Sequence, residues 1–125
     1  MFKYSLTAVS LVINLIRIML IKRFYNFNTL LEARNSKISN LYVANVTPSK
    51  ICKLVEKIAS NLGINSCLVK SIVKFQYLFH LNKEPKLIVS VKLDSEIHSH
   101  AWVDCSGVNT LDEVDAEMND ILVLS

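Results

Sequence analysis

A chain of 125 residues can form one hydrophobic core but not two, because at this size only about two-thirds of the unfolded surface is buried on folding. Hydrophobic residues make up 51%, with two glycines and two prolines, which excludes a disordered or collagen-like chain. The net charge of +3 is too small to argue for nucleic-acid binding, so no nucleic-acid partner is expected.

The charge is unevenly spread. Through Lys50 the only acid is Glu32, against Lys3, Arg17, Lys22, Arg23, Arg34, Lys37 and Lys50. After Pro85 acids dominate, with Asp112, Glu113, Asp115, Glu117 and Asp120 clustered near the end. This pattern gives a solvated basic face and a solvated acidic face, or a basic half that meets a peptide, a partner protein or a lipid surface.

The N-terminal stretch Tyr4 to Ile21 is mostly apolar, interrupted by Asn14 and Arg17. Its uncharged part falls short of the about 20 apolar residues a membrane span needs. A signal peptide would show a small-x-small cleavage site after Ile16, where the chain instead runs Arg17-Ile18-Met19-Leu20-Ile21-Lys22-Arg23. The expected element is a retained helix from about Leu6 to Phe24, apolar on most sides. It is read as a buried core helix, with a docking or membrane-surface helix and a true anchor as the alternatives.

Thr29 to Arg34 predicts a short second helix, and Asn35 to Val46 is ambiguous. Thr47-Pro48 then starts a helix, Thr47 as the cap and Pro48 in the first turn. Ile51, Leu54, Val55, Ile58 and Leu62 keep the helical period, and Gly63 ends it. Asn65 or Ser66 caps a further helix on which Leu68, Ile72, Phe75 and Phe79 recur, joined by Val69 and Val73. That helix ends near His80 to Lys83, before Pro85.

Leu87 to Leu93 alternates as a strand, His98 to Asp104 is a second, Gly107 lies in a turn, and Asp120 to Leu124 is a short third. Helices followed by a small antiparallel sheet define an α+β fold. Residues 1–46 form an N-terminal helical segment and 47–125 the core, within a single compact domain.

Three cysteines, Cys52, Cys67 and Cys105, are too few and too widely spaced for a disulfide framework. Reduced thiols fit a cytoplasmic protein, associated with a membrane if the first helix lies on one. Cys52 and Cys105 read as small buried hydrophobes.

Cys67 differs, because it falls at a helix start. There the unpaired N–H groups and the dipole favour a thiolate, the nucleophilic form. The same N–H groups can hold the oxyanion of a tetrahedral intermediate. A histidine beside the sulfur takes its proton and returns it to the leaving amine, while a third polar group orients the imidazole.

On the second strand, His98, His100, Trp102 and Asp104 share one face, and Ala101, Val103 and Cys105 the other. His100 therefore pairs with Cys67 rather than Cys105. His98 reads as a solvated strand-end residue and His80 as a helix C-terminal one. His98-x-His100 lacks a third ligand, so no metal is expected.

These residues resemble a known family. Asn65-Ser66-Cys67-Leu68-Val69-Lys70-Ser71, Leu87-Ile88-Val89-Ser90-Val91, His100-Ala101-Trp102-Val103-Asp104 and Gly107 stand in the order found in the lasso-peptide leader peptidases. These are the maturation B proteins, within the transglutaminase-like, papain-related cysteine proteases. The likeness covers Ile51 to Leu124 and, more loosely, the N-terminal helix. It implies a transglutaminase-like core and a Cys-His-Asp triad of Cys67, His100 and Asp112, with Glu113 and Asp115 as competitors for the acid. The family often places a glycine near Leu81-Asn82-Lys83-Glu84, and this chain has none there.

The resemblance implies removal of the leader from a ribosomally made precursor, without a cofactor. At this length the chain is expected to be the split form, acting with a separate leader-recognition protein. An ATP-dependent cyclase would then join the freed amine to an acidic side chain. The alternatives are a transglutaminase-like acyltransferase using the same triad, and a non-catalytic scaffold.

Overall fold

The computed structural model describes residues 2–35, 47–81, 83–93, 97–112 and 119–125. The chain runs α1 (Phe2–Phe24), α2 (Phe27–Glu32), a 3₁₀ turn (Ala33–Asn35), α3 (Pro48–Leu62), α4 (Cys67–His80), β1 (Lys86–Leu93), β2 (Ile97–Asp104) and β3 (Asn119–Leu124). The expected α+β architecture is present. The ambiguous stretch at 36–46 lies outside the described residues.

Local chemistry sets most boundaries. Thr47 caps α3 by accepting from the Lys50 N–H, with Pro48 in the first turn. Gly63 closes α3 at φ 72°, a left-handed conformation that glycine adopts without strain. Ser66, of the two candidates, caps α4 by accepting from the Val69 N–H. Asn26 caps α2, which therefore begins at Phe27, earlier than Thr29.

Helix α4 is the centre of the molecule. Val69 and every residue from Ser71 to Leu78 are buried, because α1, α3 and β2 all pack against it. A helix enclosed this way buries its whole circumference rather than one stripe. Two residues placed on apolar faces by their spacing are instead turned outward, Phe79 at the end of α4 and Leu62 at the end of α3. Phe79 still stacks on Phe75 with ring centroids 6.3 Å apart.

Helix α1 is apolar on two opposite sides and buries only one. Leu11, Leu15 and Ile18 enter the core, whereas Val9, Ile13, Ile16 and Leu20 face outward. Polar groups choose the buried face. The Ser10 and Tyr77 hydroxyls bond at 2.6 Å. The Asn14 amide donates to Gln76 Oε1 at 2.8 Å, and the Gln76 amide donates on to the Ala33 carbonyl. A buried polar group costs stability unless bonded, so this chain fixes the rotation of α1 against α4. Burial pushes the Tyr77 hydroxyl pKa above its ordinary value despite the Ser10 bond and the nearby Arg17 charge.

The sheet is antiparallel in the order β2-β1-β3. Ser90 lies opposite His100 and Ile88 opposite Trp102. A register shift between Val89 and Ser90 breaks the β1–β3 ladder at the level of His100. Leu87, Val89, Ala101 and Val103 join the core formed with α1, α3 and α4.

Candidate active site

Cys67 is the first residue of α4 and is half-buried. The helix-start position inferred for it is thus its place in the structure. Its neighbour Ser66 also accepts a bond from Lys22 Nζ at 2.9 Å. Lys22 lies in the last turn of α1, so the basic end of α1 meets the beginning of α4. The spacing of the sequence carries no sign of this, because 44 residues separate Lys22 from Ser66.

The other two thiols sit in different surroundings. Cys52 and Cys105 are buried. Burial pushes the Cys52 pKa up to about 12, with Lys74 opposing and Asp112, Cys105 and Glu56 adding to the rise. Cys105 is also raised, chiefly by burial. Both remain neutral thiols at physiological pH and are poor nucleophiles.

A side-chain bond ties the first half of α4 to β2. Ser71, one turn after Cys67 and on the same side of the helix, donates to the Ala101 carbonyl at 3.1 Å. Ala101 follows His100 directly. The bond shows that Ala101 turns its carbonyl to the open edge of β2. Val103, two residues on, does the same: its N–H donates to Asp112 Oδ2 at 2.8 Å, and its carbonyl accepts from the Thr110 hydroxyl at 3.0 Å. Three otherwise unpaired groups of an edge strand are thereby satisfied by α4 and by the loop after the Gly107 turn.

Progress along α4 runs with progress along β2. Ser71 meets Ala101, while Lys74, a turn further, meets the Asp112 that is bonded to Val103. At about 1.5 Å per helical residue and 3.3 Å per strand residue, one turn back from Ser71 corresponds to two residues back from Ala101. The start of α4 therefore lies along β2 near Ser99 and His100, while the His100 side chain shares the sheet face of Trp102, opposite to the Ala101 and Val103 that join the core with α4. His100 is half-buried, with its ring tilted over Trp102 at 5.4 Å. The alternation expected for this strand holds, since Ala101 and Val103 belong to the core that Trp102 does not join.

Asp112 sits against the same edge, with one oxygen on the Val103 N–H and the other on Lys74 Nζ at 2.5 Å. Glu113 and Asp115 lie outside the described residues. Lys74 was not singled out by the sequence, yet it is fully buried and bonds Glu56, the Thr110 carbonyl and Asp112. Burial tends to raise the Glu56 pKa, but the Lys74 bond and the Lys74 and Lys70 charges outweigh it and hold the carboxyl below its ordinary value. Among the described residues, no group of three His, Cys, Asp or Glu could hold a metal ion.

This arrangement places a cysteine at a helix start beside a histidine strand, with an acid on the following loop. It agrees with the family comparison, in which a model of the transglutaminase-like superfamily matches residues 12–123. The chain belongs to that superfamily, whose members are generally cysteine hydrolases or transferases. Comparison with curated proteins and with solved structures gives no match.

Proposed function

We propose that the chain is a cysteine peptidase that removes the leader from a ribosomally made lasso-peptide precursor. One observation chiefly supports this reading: Cys67 opens α4, and the Ser71–Ala101 bond ties that helix to β2 at the residue after His100. In the proposed reaction the Cys67 sulfur attacks the scissile carbonyl carbon. The oxyanion is met by the unpaired N–H groups of the first turn of α4. His100 passes the thiol proton to the leaving amine, which departs as the new amino end of the core peptide. Water then attacks the thioester, giving up a proton through His100, and the leader acid leaves. Asp112 orients the imidazole. Each of its oxygens has a second lone pair beyond the bonds to Val103 and Lys74.

The proposed partners are the precursor, a separate leader-recognition protein and an ATP-dependent cyclase acting on the product. The outer stripe of α1, from Val9 to Leu20, is the proposed seat of the recognition protein. The Lys22–Ser66 bond puts the end of that helix beside Cys67, so a leader held on α1 is delivered to the thiol.

Cys67→Ala tests the reaction. It should abolish leader removal with the fold intact, while Cys52→Ala and Cys105→Ala keep most activity. Mass analysis of the products separates the readings. A free leader acid supports hydrolysis, and a leader joined to an added amine supports acyl transfer. Normal cleavage by Cys67→Ala overturns both.

A further inference from the structure

We infer that Lys74 is a positioning residue for Asp112, clamping the loop that carries this acid to α4 and α3. The inference rests on the peptidase reading for its catalytic consequence and on geometry alone for the clamp. Lys74 is 0% exposed, in the middle of the most enclosed helix of the molecule. Its neighbours Ile72, Val73 and Phe75 are all apolar and buried. An ammonium is tolerated in such a place only when each of its protons has an acceptor. It has three donors, and the structure supplies three acceptors: Glu56 Oε1 at 2.8 Å, the Thr110 carbonyl at 2.7 Å and Asp112 Oδ1 at 2.5 Å. Two of the three belong to the single loop on which the proposed acid sits.

A second, independent feature marks the same loop. Leu111, between the two residues bound to Lys74, has φ 62°. A branched side chain rarely adopts this left-handed conformation, and it persists only where surrounding contacts hold it. The Lys74 bonds to Thr110 and Asp112 on either side, with the Asn109 side chain accepting from the Leu111 N–H, are those contacts. Asp112 is thus fixed at both oxygens, by Lys74 from α4 and by the Val103 N–H from β2.

The charged and titratable groups around the ammonium are Glu56 and Cys52 from α3, and Asp112 from the loop. Lys70 shares Glu56 at 3.2 Å, and Cys105 acts electrostatically on Cys52. Glu56 completes the coordination of Lys74 but touches neither β2 nor Asp112 in any bond described. Removing Lys74 and removing Glu56 therefore have separable effects.

The test uses the full chain in four variants: Lys74→Met, Glu56→Leu/Lys74→Met, Glu56→Gln and Asp112→Asn. The double variant takes Glu56 away with Lys74, so that α3 leaves no carboxylate facing the apolar interior and only Asp112 loses its counter-charge, and it is expected to fold more readily than Lys74→Met. Folding is checked by circular dichroism. Three readouts follow: hydrogen exchange at the Val103 amide, the pH profile of Cys67 alkylation by iodoacetamide, and kcat and KM for precursor cleavage. In the double variant the Val103 amide should exchange at least about tenfold faster as Asp112 loses its anchor. The alkylation profile should move as it does in Asp112→Asn. With a displaced acid, kcat should fall on the order of 100-fold at similar KM. Glu56→Gln should leave all three near wild type.

A folded double variant with a protected Val103 amide overturns the clamp, whatever the enzyme does. Equal loss of kcat in Glu56→Gln and the Lys74 variants overturns the positioning role, because the loss is then one of packing. A shifted alkylation profile in Asp112→Asn but not in the double variant overturns the positioning role while the peptidase reading stands. A profile that no variant moves, Asp112→Asn included, overturns the triad role of Asp112 and the positioning role with it.

Discussion

Asp112 and Lys74 determine one another's surroundings at the scale of single residues. Asp112→Asn keeps the shape but gives up the charge facing Lys74 and the acceptor proposed for His100. Turnover should drop by powers of ten, as when the third member of a triad is lost, whereas Glu113→Gln should leave it unchanged. Steady-state kinetics on the precursor decides this, and a larger loss in Asp115→Asn than in Asp112→Asn moves the acid further along the chain. Glu56 carries a pH signature. Its folded carboxyl titrates below the ordinary 4.5, so on acidification the unfolded chain takes the proton first. The stability it contributes is complete above that value and is lost as the pH falls through the folded pKa. Thermal melts from pH 7 to pH 3 should show this decline, and Glu56→Gln should flatten it. Cys52 acts at the other end. Its thiol stays protonated in the fold up to about pH 12, while the unfolded thiol ionises near 9. Stability therefore falls as the pH rises above 9, and Cys52→Ala should lessen that slope.

At the scale of elements, caps and contacts divide the labour. Thr47→Ala removes the acceptor for the Lys50 N–H and should cost about 1 kcal/mol. Gly63→Ala meets no atom within 4 Å, so its cost is purely conformational, about 1–2 kcal/mol for a left-handed residue with a Cβ. Denaturant melts measure both, and neither change should affect activity per folded molecule. These ends were legible because a cap is a matter of one residue and its near neighbours. Lys74 was not legible. Its acceptors Glu56 and Asp112 are 18 and 38 residues away, and a lysine within a helix pattern reads as solvent-facing until the neighbouring elements are in place. Phe79 shows the converse: it keeps the apolar period but sits where the helix leaves the enclosed core, stacked on Phe75 and otherwise largely exposed.

Across the whole molecule, α1 connects a surface to the site. Its buried face is locked to α4 by Ser10 and Asn14, its outer face is apolar, and Lys22 at its end reaches the residue beside Cys67. No helix among the described residues is long and apolar enough to cross a membrane. On the proposed reading, cleavage by the chain alone is weak and rises strongly when the recognition protein is added. Arg23→Glu should reduce that stimulation more than it reduces partner-independent hydrolysis. Lys22→Glu should lower both, because its bond to Ser66 ties it to the helix that carries the thiol. Efficient cleavage by the chain alone, indifferent to a recognition protein, overturns the split arrangement and leaves the peptidase proposal standing.

The division between what was readable and what was not follows the range of the forces. Periodicity, caps and strand alternation act over a few residues, and they determined the α+β order, the place of Cys67 at a helix start and the two faces of β2. The resemblance in Cys67-Leu68 and His100-Ala101-Trp102-Val103 pointed to the superfamily for the same reason, since each motif is contiguous. Only the tertiary structure decided which side of α1 is buried, because both sides are apolar and the choice falls to the partners of Ser10 and Asn14. Only it decided that Lys74 is interior, that Asp112 is anchored at the edge of β2, and that Lys22 stands beside the start of α4. Each of these depends on a charge or polar group finding its counterpart across the fold, and burial gives such a pairing its strength.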